Sequence, residues 1–154
     1  MKNKVLVAID STGLSELVVD VLAAQLRPEE TEVLVLEVAE PLVYSVPPEM
    51  SPGYTPELVE RRKKGQEQAK ETLGYAVEVF RNSGFQADSR LVESEIKEGI
   101  LNVAAEWGAT LIVVTSHARS GVAKFLHRSI AEAIVHRAPC SVLVLKEPAA
   151  EAAA

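Results

Sequence analysis

Few residues in this chain combine a chemically useful type with a useful position. Asp10 closes the apolar run Val5-Leu6-Val7-Ala8-Ile9 and opens the turn Asp10-Ser11-Thr12-Gly13. A carboxylate there can accept from a ribose hydroxyl, hold a cation, or simply cap the following helix. A second small, polar segment, Thr115-Ser116-His117-Ala118-Arg119-Ser120-Gly121, follows the apolar run Leu111–Val114, and helical spacing runs from Ser129 to Arg137. A helix that opens at Ser129 presents free backbone amides, that of Ile130 among them, and a partial positive charge; both suit a phosphate. Glu132, three residues on, also completes a capping-box pattern, so Ser129 reads equally well as a structural N-cap.

Other chemistry is thin. His117 beside Ser116 and Ser120 suggests acid–base work, but neighbours in one loop rarely point into a shared geometry. His117, His127, His136 and the single Cys140 lack metal-ligand spacing. Cys140 enters an apolar run with no base beside it to lower its pKa, and reads as an inert, buried thiol. A phospho-acceptor signalling domain needs an acidic cluster after strand one and another aspartate after strand three. Here there is Asp10 alone, and Leu91-Val92-Glu93.

The elements that must hold these groups follow from periodicity. Val5–Ile9, Val33–Val38, Phe85–Val92, Leu111–Val114 and Val142–Leu145 read as strands, most of them nearly continuous in apolar residues, as expected of a parallel sheet covered on both faces. Between them, helical spacing covers about 15 to 26, Glu57 to Arg81, Ile96 to Glu106, and Ser129 to Arg137. Glu40 to Pro56 carries Pro41, Pro47, Pro48, Pro52, Gly53 and Pro56, and is a long loop: either a mobile cover over a site or a contact surface. Alternation of strand and helix predicts an α/β, doubly wound, five-stranded parallel sheet with helices on both faces. In the usual order strand one lies beside strand four, and the reversal of order there leaves a crevice at the strands' carboxyl ends. Asp10 and Thr115 both land at its mouth.

Bulk properties narrow the classes. With 154 residues and 47% hydrophobic content, the chain suits a single domain over 1–147 with a frayed tail at 148–154. The formal net charge of -6 comes from dispersed acids. The one basic run, Arg61-Arg62-Lys63-Lys64, is interleaved with Glu57, Glu60 and Glu67 at helical spacing, the pattern of a solvated helix face rather than a nucleic-acid surface. The apolar run after Met1-Lys2-Asn3-Lys4 is too short for a signal or a membrane span, so the expected location is cytoplasmic, with no membrane partner.

The order and spacing of Val5–Asp10, Ala104–Val114, Ser116–Gly121 and Ala138-Pro139-Cys140-Ser141-Val142-Leu143-Val144-Leu145 resemble the universal stress proteins over nearly the whole chain. The resemblance implies strand order 3-2-1-4-5 and, in one branch of the family, ATP in the crevice, with magnesium when bound. It places the nucleoside end on Asp10 and an adenine contact to the main chain near Val38. In that branch the phosphate loop reads Gly, two residues, Gly, nine residues, Gly, then Ser or Thr. The corresponding positions here are Thr115, Ala118, Arg128 and Ser129, so only the last is kept. Glycine lets backbone approach phosphate oxygens without a Cβ, often at positive φ. Thr115 and Ala118 add small side chains to that approach. Arg128 either fills the phosphate space or swings aside and ion-pairs with phosphate.

The expected function is a non-catalytic, homodimeric stress-response protein with a degenerate adenine-nucleotide pocket that binds ATP weakly or not at all. The alternative, an ATP-binding and slowly hydrolysing switch, needs an amide cradle, a cation site and a positioned water, and Asp10 alone does not make that set. The dimer expectation rests first on an edge: the last strand, Ser141 to Lys146, lies at the sheet border, and Val142–Leu145 carries no charge or proline to block pairing with a second copy.

Overall fold

The computed structural model describes residues 2–41, 56–116 and 122–146; of residues 116 and 122–128 only the backbone is described. Among the described residues five strands and four α-helices alternate: β1 (Asn3–Ile9), α1 (Glu16–Gln25), β2 (Thr31–Ala39), α2 (Pro56–Asn82), β3 (Gln86–Glu93), α3 (Ile96–Trp107), β4 (Leu111–Ser116), α4 (Val122–Arg137) and β5 (Ser141–Lys146). The five strands form one sheet in the order β3-β2-β1-β4-β5, every pair parallel. The architecture and strand order are those expected from the sequence.

The apolar runs are continuous because both faces of each central strand are buried. Val5, Leu6 and Val7 are each 1% exposed or less. Val5, Val7, Val33, Val35 and Val113 pack against Val18 and Leu22 of α1 and Leu73, Ala76, Val77 and Phe80 of α2. On the other face Leu6, Leu34, Leu36, Ile112 and Val114 meet Ile100, Leu101, Val103 and Ala104 of α3 and Ala131 and Ile134 of α4. Each buried Val, Leu, Ile or Phe contributes about 1.5–3 kcal/mol on leaving water, and these two layers fix the sheet to its helices. Cys140 lies at the margin of the second layer, half-buried, and desolvation pushes its thiol pKa up, as expected of an inert thiol. Arg61 to Lys64 are exposed along α2, where Arg62 pairs with Glu93 of β3 at 2.5 Å.

Helix ends follow their chemistry. The Ser15 hydroxyl caps α1 by accepting from the Leu17 amide at 3.3 Å, and the Glu95 carboxylate caps α3 by accepting from the Glu98 amide at 2.9 Å. Gly108 ends α3 in the left-handed region at φ 76°.

One element differs from the sequence reading. The fourth helix opens at Val122, seven residues before Ser129. Nothing between Val122 and Arg128 breaks a helix, and Ser129-x-x-Glu132 is a spacing that a helix interior also contains. The Pro-rich segment from 42 to 55, residues 117 to 121 and residues 147 onward lie outside the described residues. Among the described residues no helix is long and apolar enough to cross a membrane.

Candidate functional site

The topological switch between β1 and β4 opens a crevice by a simple geometric route. Described pairing of β1 with β4 runs from Val5 opposite Leu111 to Val7 opposite Val113, whereas pairing with β2 continues to Ile9 opposite Glu37. The two central strands therefore part company at their carboxyl ends, the place where ligands bind in sheets of this kind. The resulting cavity has a volume of about 320 Å³, at the small end of the roughly 300–1,000 Å³ range of ligand sites. Asp10 and Ser11 line its β1 side, Val38 and Ala39 its β2 side, Val114 and Thr115 its β4 side, and Ile130 of α4 closes it. Ile96 and Ile100, one turn apart on α3, form an apolar wall with Leu36.

Asp10, Val38, Thr115 and Ile130 all line this cavity. Ser129 is exposed and lies inside α4, so its amide belongs to the helical ladder and not to a free helix start. The expectation of open N-terminal amides at Ser129 is corrected on that ground. Ser116 is the last residue of β4, opposite Lys146, and Arg128 lies in α4; the side chains of both, and all of Ala118, lie outside what the structure describes.

Asp10 does not cap α1, since Ser15 does. The Asp10 carboxylate instead accepts from the Thr12 amide at 2.8 Å and from the Thr12 hydroxyl, while the Gly13 amide donates to the Asp10 carbonyl at 3.0 Å. Gly13, at φ 92°, is the residue type this tight turn needs. The turn holds Asp10 at the crevice mouth as a hydrogen-bond acceptor.

Glu37 is the functional candidate that sequence reasoning passed over. It is 8% exposed, and its Oε2 is buried with no hydrogen-bond partner among the described residues. Burial pushes its carboxyl above the ordinary 4.5, and the negative charge of Asp10 adds to the shift. It borders both the crevice and a groove of about 360 Å³ lined by Arg61, Arg62, Ala69, Leu91 and Glu93 on the α2 side. A single acid inside the run Val33–Val38 was the available signal, because a charge in a doubly covered strand has to be neutralised or kept for use.

A third hollow, about 360 Å³, lies near the amino ends of β2 and β3, where Glu32, Gln86 and Asp88 meet Arg81. The Arg81 guanidinium already donates twice to the Ala87 carbonyl, at 3.1 and 2.9 Å. Its position opposite the switch point makes it the weaker candidate. Among the described residues no group of three His, Cys, Asp or Glu is placed to hold a metal ion.

Fold and crevice together define a doubly wound α/β domain with a crevice at its topological switch point. The chain belongs to the universal stress protein family, whose pattern matches residues 1–146. It is 29% identical over 148 residues to universal stress protein YxiE of Bacillus subtilis (strain 168), covering 95% of this chain and 100% of that protein. It superposes on the structure of hypothetical protein MJ0577 with a TM-score of 0.77 at 23% identity, covering 96% of this chain and 98% of the other. The universal stress protein of Archaeoglobus fulgidus in complex with dAMP gives a TM-score of 0.61 at 24% identity, with 94% and 98% covered.

Proposed function

We propose that this chain is a non-catalytic, cytoplasmic universal stress protein that holds an adenine nucleotide by its nucleoside end in the β1–β4 crevice. The observation that carries the reading is the convergence of Asp10, Val38, Thr115 and Ile130 on one cavity of about 320 Å³. Apolar side chains at 36, 96, 100 and 114 suit the faces of a base, and Asp10 is held by its turn as an acceptor for a ribose hydroxyl. Structures of family proteins with dAMP, cAMP and AMP support the choice of adenine.

The phosphate end is the weaker half. Thr115, Ala118 and Arg128 stand where the ATP-binding branch has glycines, and the amide of Ser129 is engaged within α4. ATP, with its magnesium, therefore gains little over AMP in this site. Among the described residues no nucleophile and base pair supports a hydrolytic role.

The active unit is a homodimer joined along β5. The two sheet edges differ in a way that supports this. β3 displays Asp88, Arg90 and Glu93 to solvent, charges that resist pairing, whereas Val142 to Leu145 of β5 are half-buried and uncharged.

Two measurements test the reading: the nucleotide released on denaturing freshly purified protein, and calorimetric titration with adenosine, AMP and Mg-ATP. Adenine nucleotide in the first and similar affinities within the second series are expected. A site that takes ATP about a hundredfold more tightly than AMP contradicts the nucleoside-end reading, since that gap is about 2.7 kcal/mol of phosphate contact.

A further inference from the structure

Gly99 sits in the opening turns of α3, in a helix interior where glycine is a poorer helix former than alanine. Space accounts for it. A Cβ at Gly99 would lie 2.7 Å from Cγ1 and 3.0 Å from Cγ2 of Val38, and 3.3 Å from Cβ of Ser94. The two glycines within α2, Gly65 and Gly74, have nothing within 4 Å of the same position, so close approach belongs to Gly99 in particular. Val38 has little freedom to yield, because its β-branched side chain is stiff about χ1 and its backbone is paired with Val92 of β3. The Ser94 amide donates to the Ala39 carbonyl at 3.0 Å and ties the start of α3 to the end of β2 at this level.

The same two elements wall the crevice. Val38 lines it from β2, and Ile96 and Ile100, which flank Gly99 in the helix, line it from α3. The distance of closest approach between α3 and β2 therefore sets the width of the slot these side chains leave. We infer that Gly99 is a positioning residue that fixes the slot at the thickness of a flat base, so that the missing side chain in α3 sets affinity for the adenine ring. This rests on the nucleoside-end reading above and adds to it the element that sets the fit.

The consequence differs from that of a merely structural glycine. A methyl at position 99 pushes α3 off Val38, widens the slot and loosens contact with the base, while leaving any phosphate contact alone. Adenosine and AMP should then lose affinity by the same factor, about tenfold, the scale of one misplaced methyl in an apolar pocket. Val38→Ala removes both Cγ atoms that the new Cβ would strike, so in that background Gly99→Ala should change affinity by no more than about twofold.

The experiment is calorimetric titration of adenosine and AMP into wild type, Gly99→Ala, Val38→Ala and the double variant, each checked for native circular dichroism. A loss in Gly99→Ala that is equal for both ligands and is relieved in the Val38→Ala background is expected. Unchanged affinity in Gly99→Ala, or the same loss in both backgrounds, overturns the proposal. If Gly99→Ala does not fold, the double variant compared with Val38→Ala decides: equal affinities, with folding restored, support the steric account, and unequal ones overturn it. A wild type that binds neither ligand overturns the nucleoside-end reading itself, and a ligand-free crystal structure of Gly99→Ala then tests the slot alone. In it α3 displaced from Val38 upholds the width control, and α3 unmoved ends it.

Discussion

Glu37 and Asp10 show how far a single carboxylate is defined by its surroundings. Asp10 lies at a turn, satisfied by Thr12, and keeps the acceptor character expected of it from sequence. Glu37 stands one strand away and is buried, with no partner for Oε2 among the described residues. Its carboxyl is raised above 4.5 by desolvation first and by Asp10 second. The groups around it on neighbouring elements are Asp10 beyond β1, Glu93 of β3 with its partner Arg62, Arg61 of α2, and Glu40 after its own strand. A folded-state pKa above the unfolded value means that the folded form favours the proton. The associated stability is fully present below about pH 4.5 and is lost as pH rises through the raised value. Glu37→Gln, neutral at every pH, should match wild type in acid and exceed it near neutrality by about 1 kcal/mol, the cost of an uncompensated buried polar group. Urea denaturation of both proteins from acid to neutral pH checks this. A difference between them that does not vary with pH would show that the carboxyl is not titrating as described. The residue was legible as an oddity in β2, but its burial was not, because nothing in the strand pattern alone says that α2 closes over that position.

Among the elements, strands and their order were readable because continuous apolar runs of four to six residues admit few interpretations once helices alternate with them. The crevice followed from order alone. What the pattern hid was the start of α4. Ser129 with Glu132 has the spacing of a capping box, yet a helix interior can present the same pair. The two arrangements separate by mutation. At a true N-cap, Ser129→Ala costs about 1 kcal/mol, whereas at an exposed position inside α4 alanine is the better helix former and the variant should be as stable as wild type or slightly more so. Thermal unfolding of Ser129→Ala reads the sign directly, and a loss on the N-cap scale would restore the shorter helix and its free amides. The α3 wall was half legible: the spacing of Ile96 and Ile100 marks an inward face, but that the face reaches the crevice depends on how closely Gly99 lets α3 approach β2.

At the scale of the whole molecule, the contrast between a charged β3 edge and an apolar β5 edge is a property of the sheet, visible only once strand order is known. It predicts that wild type sediments as a dimer at micromolar concentration. Val144→Pro removes an amide and obstructs strand pairing, so a folded Val144→Pro variant should sediment as a monomer. A dimer that survives in that variant would place the interface elsewhere. The central claim, that this chain holds the nucleoside end of an adenine nucleotide at its topological switch point, is tested most directly by a crystal structure grown with excess AMP. The account predicts the base between Val38 and the Ile96–Ile100 wall, with the ribose on Asp10. An empty crevice, with nucleotide absent or bound on the outer face of a helix, would contradict it.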